Sequence, residues 1–210
     1  MIAEGIEIEW LGHDGFLVKS AGTVLCFDPF EANASAKADF IFISHEHHDH
    51  LSPKDIEAFR KPSTVIIASE SCRGKIADAH FLKPEQSIEI AGIKVRAVRA
   101  YNTNKFRSPG VHFHPKENNG IGFVVEFAGK RVYHAGDTDF IPEMKKLGSI
   151  DVAFLPVSGT YVMTPEEAAE AANAIKPKTA IPMHYGKIVG TKSDAEKFAS
   201  LYKGKTEILG

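Results

Sequence analysis

Short runs rich in apolar, β-branched and aromatic residues open the chain, at 6–11, where they alternate with polar ones, and at 16–19, 24–27 and 40–44. Gly or Pro punctuates the gaps between them. A period of two sends successive side chains to opposite faces, so each run predicts a β-strand. Phe40-Ile41-Phe42-Ile43 is apolar at every position and predicts a buried strand. Ser52-Pro53-Lys54-Asp55 predicts a helix start, with Ser52 as cap and Pro53 at the first helical position. A strand at 64–68 and a short helix over 70–77 follow.

The second half repeats the rhythm, with strands predicted at 93–100, 122–127, 131–134, 152–155 and 179–182. Thr164-Pro165-Glu166-Glu167 is a capping box that opens a helix running to Ile175. Ser193-Asp194-Ala195-Glu196 reads as a second box opening the last helix. Residues 101–119 are polar, aperiodic and bear Pro and Gly, and a loop of that length inside a compact domain is usually functional. No linker, repeat or low-complexity segment divides the chain, so one domain is expected across residues 1–210. Each half supplies strands and then helices, which predicts two sheets packed face to face with helices outside.

Composition changes this picture little. At 210 residues and 43% hydrophobic the chain can bury a sizeable core without disulfides or structural metals. Its two cysteines, Cys26 in an apolar run and Cys72 in the helix predicted at 70–77, read as buried thiols rather than a disulfide framework. A formal net charge of −2 sets up no basic field, so neither nucleic acid nor an anionic membrane is expected as a partner. No apolar run approaches the roughly 20 residues that span a bilayer. The opening residues carry no basic segment followed by an apolar stretch, and a cytoplasmic location is expected.

The chemistry concentrates in Ser44-His45-Glu46-His47-His48-Asp49-His50, directly after the apolar strand. His45, His47, Asp49 and His50 offer imidazole and carboxylate within six positions, a donor set that suits zinc, manganese or iron better than calcium or magnesium. In an extended segment His45, His47 and Asp49 point the same way, while a turn swings Asp49 and His50 toward a second ion. Two adjacent cations lower the pKa of a shared water toward about 7 and so make hydroxide available at neutral pH. Asp28, before Pro29, reads either as a turn residue or as an acceptor that orients a ligand imidazole.

The His-x-His-x-Asp-His pattern after a strand resembles the hallmark of the metallo-β-lactamase superfamily. Trp10-Leu11-Gly12-His13-Asp14-Gly15-Phe16 and Phe27-Asp28-Pro29-Phe30 resemble its opening segments. Tyr133-His134-Ala135-Gly136-Asp137-Thr138-Asp139 and Ile181-Pro182-Met183-His184-Tyr185 are similar to its later ligand-bearing strand ends. Asp151–Pro156 followed by Met163-Thr164-Pro165-Glu166-Glu167 resembles small hydrolases near the ascorbate-phosphate lactonases. The resemblance implies an α+β fold, an αβ/βα four-layer sandwich of two mixed β-sheets flanked by helices, with the site along one edge. It implies two divalent ions, zinc first with manganese or iron as alternatives. His45 and His47 would bind the first ion, Asp49, His50 and His184 the second, and Asp137 would bridge them, with Asp49 and Asp137 the catalytic carboxylates.

The superfamily commonly supplies a third histidine to the first ion at the end of the strand predicted at 93–100, where this chain reads Ala100-Tyr101-Asn102. The next candidates are His112 and His114. His114 is favoured because Pro115 stiffens its backbone and because relatives carry a similar Phe-His-Pro-Lys stretch. His47 stands where diiron redox relatives carry a carboxylate, which argues for hydrolysis. The expected substrate is a small lactone, ester or phosphoester, with a nucleotide or lipid-headgroup phosphodiester, or a non-catalytic metal-sensing role, as the alternatives. Lys105, Arg107 and Lys116 in the long loop would attract an anionic group, and Tyr101, Tyr161 and Tyr185 are candidate donors to a leaving group. Self-association remains open.

Overall fold

Alternation along Phe40-Ile41-Phe42-Ile43 sends Phe40 and Phe42 into one hydrophobic cluster and Ile41 and Ile43 into another, so this strand is covered on both faces. The computed structural model describes every residue from Met1 to Gly210. Its first sheet contains seven strands in chain order: β1 (Ile2–Ala3), β2 (Ile6–Gly12), β3 (Gly15–Ser20), β4 (Thr23–Phe27), β5 (Phe40–Ile43), β6 (Val65–Ser69) and β7 (Ala79–Leu82). Strands β1 to β4 pair antiparallel and β4 to β7 parallel.

The second sheet begins with β8 (Ser87–Ile90) and β9 (Ile93–Arg99). A separate hairpin, β10 (Phe106–Ser108) with β11 (Val111–His112), interrupts it. The sheet resumes with β12 (Ile121–Phe127), β13 (Lys130–His134), β14 (Val152–Pro156) and β15 (Thr179–Met183), in the order β15-β14-β13-β12-β9-β8. Strands β13, β14 and β15 are parallel and the other pairs antiparallel, so both sheets are mixed.

Helix α1 (Pro53–Phe59) places Ile56 and Phe59 on the outer face of the first sheet, against Ile41, Ile43 and Ile66. Helices α2 (Pro165–Ile175) and α3 (Lys192–Leu201) pack on β14 and β15. A single cluster of 46 buried residues takes in both sheets, so the halves share a core between them. Phe16 of β3 stacks on Phe154 of β14 at 4.0 Å across that interface. The result is the α+β four-layer sandwich of the metallo-β-lactamase fold. No helix is long and apolar enough to cross a membrane.

Three local expectations change. The helix predicted over 70–77 is a single 3-10 turn, Glu70–Cys72, because the chain enters the left-handed region at Gly74 (φ +81°) and then joins β6 as β7. The last capping box lies two residues earlier than predicted. The Asp194 carboxylate accepts from the Thr191 backbone N–H at 2.7 Å, so Thr191 is the cap and Ser193 falls in the first turn. The loop at 101–119 is partly structured, by the hairpin and by a 3-10 turn at Lys116–Asn118. Both cysteines are buried free thiols, and burial pushes the Cys72 thiol up to about 12.

Candidate metal centre

Parallel strands open their carboxyl ends to one edge, where the loops that follow can converge. At that edge lie His13 and Asp14 in the β2–β3 turn, Asp28 after β4, residues 44–50 after β5, Asp137 after β13 and His184 after β15. Three of these residues, His13 (φ +53°), Asp28 (φ +36°) and His184 (φ +61°), hold a left-handed backbone without being glycine. Such conformations cost on the order of 1–3 kcal/mol each and gather at functional sites. Gly136 (φ +62°) has no room for a side chain: a Cβ would stand 2.8 Å from the Ile121 carbonyl oxygen. A glycine there lets Asp137 approach the first sheet closely.

His45, His47 and His114 form one cluster. The Nε2 atoms of His45 and His114 stand 3.0 and 3.2 Å from His47 Nδ1. His114 Nε2 is also 3.1 Å from Asp137 Oδ2. The opposite ring nitrogens are held from behind. Ser44 Oγ–H donates to Asp28, which leaves Ser44 Oγ to accept His45 Nδ1–H at 3.0 Å. Asn102 Oδ1 accepts both the backbone N–H of His114 at 2.8 Å and its Nδ1–H at 3.0 Å.

His13, Asp14, His50 and His184 form the second cluster, with ligand atoms all within 4.8 Å of one another. Asp28 Oδ2 accepts His50 Nδ1–H at 2.8 Å, so Asp28 orients this imidazole. His184 Nδ1 meets Ser158 Oγ at 2.9 Å. His13 Nε2–H donates to Asp49 Oδ2 at 3.1 Å. Asp137 joins the clusters: Oδ1 lies 3.3 Å from His50 Nε2, and Oδ2 lies 3.4 Å from His184 Nε2.

The electrostatics suit a cation. Burial works against ionised Asp137, yet His184, His50 and His114 together hold its carboxyl well below the usual range. Burial also opposes a charged His184, but Asp137 and Asp14 outweigh it and raise its pKa to about 9. His50 Nε2, His184 Nε2, Asp137 Oδ1 and both Asp14 oxygens are buried with no aligned hydrogen-bond partner. Buried polar atoms without partners are costly, and imidazoles held at Nδ1 with Nε2 facing carboxylates are arranged as metal ligands are. The donor set fits divalent cations.

Residues 7–184 match the family described as Beta-lactamase superfamily domain. The chain is a member of the metallo-β-lactamase superfamily. It is 33% identical to a UPF0173 metal-dependent hydrolase of Pelotomaculum thermopropionicum, covering 96% of this chain and 93% of that protein. A protein of the same designation from Symbiobacterium thermophilum is 34% identical, over 93% and 91% of the two chains. The crystal structure of a protein of Parabacteroides distasonis, described as a metal-dependent hydrolase, superposes with a TM-score of 0.83 at 36% identity, covering 97% and 92%.

The superfamily's motif residues come together here as follows. His45, His47, His50, His114, Asp137 and His184 lie in one continuous centre, with Asp49 at its rim, 13% exposed. His114 enters the centre, whereas His112 stacks on Phe106 at 4.4 Å and stays outside. His48 is exposed and His80 lies on the surface of β7. His134 donates Nε2–H to the Asp14 carbonyl oxygen at 2.9 Å, pinning the β2–β3 turn from beneath. Asp14, Asn102 and Ser158 carried no signal in the sequence beyond being polar residues next to apolar strands.

A cleft of about 230 Å³ opens over the centre. His47, Asp49, His114 and Asp137 line it together with Phe113, Tyr161 and Ile188. Of the three candidate tyrosines, Tyr161 alone lines this cleft. Tyr101 OH turns to Glu143, and Tyr185 OH donates to the Leu209 carbonyl oxygen. None of the three loop cations lines the cleft. Lys105 pairs with Glu167 at 2.7 Å and Asp139 at 3.5 Å, and Lys116 lies over the Tyr101 ring beside Glu143. Arg107 sits on exposed β10, outside the cleft lining.

Proposed function

We propose that the chain hydrolyses a small, uncharged acyl compound, a lactone or carboxylic ester, with the help of two divalent cations. The carrying observation is the set of unpartnered buried ring nitrogens and carboxylate oxygens of His50, His184, Asp14 and Asp137, of which Asp137 also lines an open cleft beside Phe113, Tyr161 and Ile188. His45, His47, His114 and Asp137 would hold one cation, a mainly imidazole set that suits zinc. His50, His184 and Asp137 would hold the other, with Asp49 at its rim. Cations held there supply Lewis acidity toward water and toward a carbonyl or phosphoryl oxygen.

The chain's own residues then have separate tasks. Asp28, Ser44, Asn102 and Ser158 fix the ligand imidazoles, so little reorganisation is needed during reaction. Asp49 is steered by His13 through Oδ2, which leaves Oδ1 to accept a hydrogen bond from the attacking water and hold it in line. Tyr161 is placed to give its phenolic proton to the departing oxygen, and Phe113 and Ile188 shelter the apolar part of the substrate. Lys105 pairs with Glu167 and Lys116 with Glu143, and no lysine or arginine lines the cleft, which favours an uncharged acyl substrate over a phosphoester.

The test is turnover by zinc- and manganese-loaded protein on a matched panel of lactones, carboxylic esters and phosphodiesters, with Asp49→Ala as control. Hydrolysis of the acyl compounds, lost in the control, supports the reading. Preference for phosphodiesters would overturn the substrate class. Wild-type rates in the control would overturn the role of Asp49, and no turnover on any compound would favour a non-catalytic metal-binding protein.

A further inference from the structure

Asp14 lies outside the ligand set that the His-x-His-x-Asp-His pattern implies. It occupies the turn between β2 and β3 and is fully buried. Neither carboxylate oxygen receives a hydrogen bond. A carboxylate buried without donors is among the most expensive arrangements a fold can hold, and it persists only where something compensates it. Oδ2 lies 3.5 Å from His50 Nε2, and the side chain shares one cluster with His13, His50 and His184. The Nε2 atoms of His50 and His184 are themselves buried and unpartnered. Three unpartnered ligand groups from three separate loops therefore face one another.

We infer that Asp14 is a direct ligand of the second cation, beside His50, His184 and Asp137. The inference rests on the two-cation reading above. It divides the labour of two aspartates by their surroundings. Asp14 is wholly enclosed and faces only other groups of the centre, whereas Asp49 is 13% exposed, lines the cleft and is already hydrogen-bonded to His13. Asp14 closes the site from the buried side and leaves Asp49 available to the attacking water. His134 contributes as a positioning residue, since its Nε2–H holds the Asp14 backbone in place. The second site is then richer in carboxylate than the first, which raises its relative preference for manganese or iron.

The experiment compares wild type, Asp14→Asn and Asp14→Ala by metal analysis after dialysis, by calorimetric titration of each equivalent, and by the visible spectrum of the cobalt(II)-loaded forms. Wild type is expected to take up two ions. Both variants are expected to keep the first and to bind the second at least about tenfold more weakly, with loss of the corresponding cobalt bands. Metal-free Asp14→Asn is expected to melt no lower than metal-free wild type, because the amide is the same size and the substitution removes no hydrogen bond that Asp14 receives; this also shows that the variant folds. A second ion bound by Asp14→Asn with wild-type affinity would overturn the assignment and leave Asp14 a protonated structural acid. A wild type that binds only one ion would overturn the two-cation reading and this assignment with it.

Discussion

Asn102 lies just past β9, and its amide serves a histidine that arrives from the loop beyond. Its Oδ1 accepts two N–H groups of His114, and its Nδ2 donates to Asp139 Oδ1 and to the Tyr161 carbonyl oxygen. Asn102 thus fixes the ring of a histidine twelve residues later. Asn102→Ala is expected to weaken the first cation about 10–100-fold, as loss of such orienting partners does. His112→Ala is expected to leave affinity unchanged. Competition with a chromogenic chelator reads both, and equal affinities for the two variants would sink the assignment. Contiguous ligands such as His45, His47 and His50 are legible in a sequence because their spacing is itself improbable in a solvated loop. Asn102, Asp14 and Ser158 are single polar residues, and their partners lie far along the chain.

Among the elements, β13 and β14 are tied at their start by a partly buried carboxylate. Asp151 accepts the Arg131 backbone N–H at 2.8 Å and pairs with Lys178 at 2.7 Å. Burial works against its charge, yet Lys178 and the Arg131 N–H hold the carboxyl below its ordinary range. A depressed folded-state pKa contributes stability that is present above the unfolded value, near about 4, and is lost as pH falls through the folded one. Asp151→Asn is therefore expected to lose less stability than wild type between about pH 5 and 3, by about 0.5–1 kcal/mol because Lys178 is largely exposed. Urea denaturation across that range measures it, and parallel acid profiles would contradict it. The strands were readable from their period of two and α2 from its capping box. The helix expected at 70–77 was not realised because β6 offers an open edge that β7 completes, a competition that local propensity does not contain.

At the scale of the whole molecule, the centre draws His13, Asp14, His45, His50 and Asp28 from the first sheet and Asp137 and His184 from the second. A cation held there links the two layers. Stripping divalent ions with a chelator should therefore lower the unfolding midpoint, and readdition at 100 times Kd should restore about 2.7 kcal/mol per site. A midpoint indifferent to metal in urea titration would mean that the ions do not join the sheets. Alternation and contiguity are local properties, so the order of residues alone carries the two-sheet sandwich, the histidine cluster and the superfamily. The choice of His114 over His112, the burial of Asp14 and the neutralisation of Lys105 by Glu167 depend on which distant residues meet. Those meetings are set by how the sheets pack and where the β10–β11 hairpin lies. Only the folded chain brings Asp14 to His50 across 36 positions of sequence, and only there does a buried carboxylate become a candidate ligand.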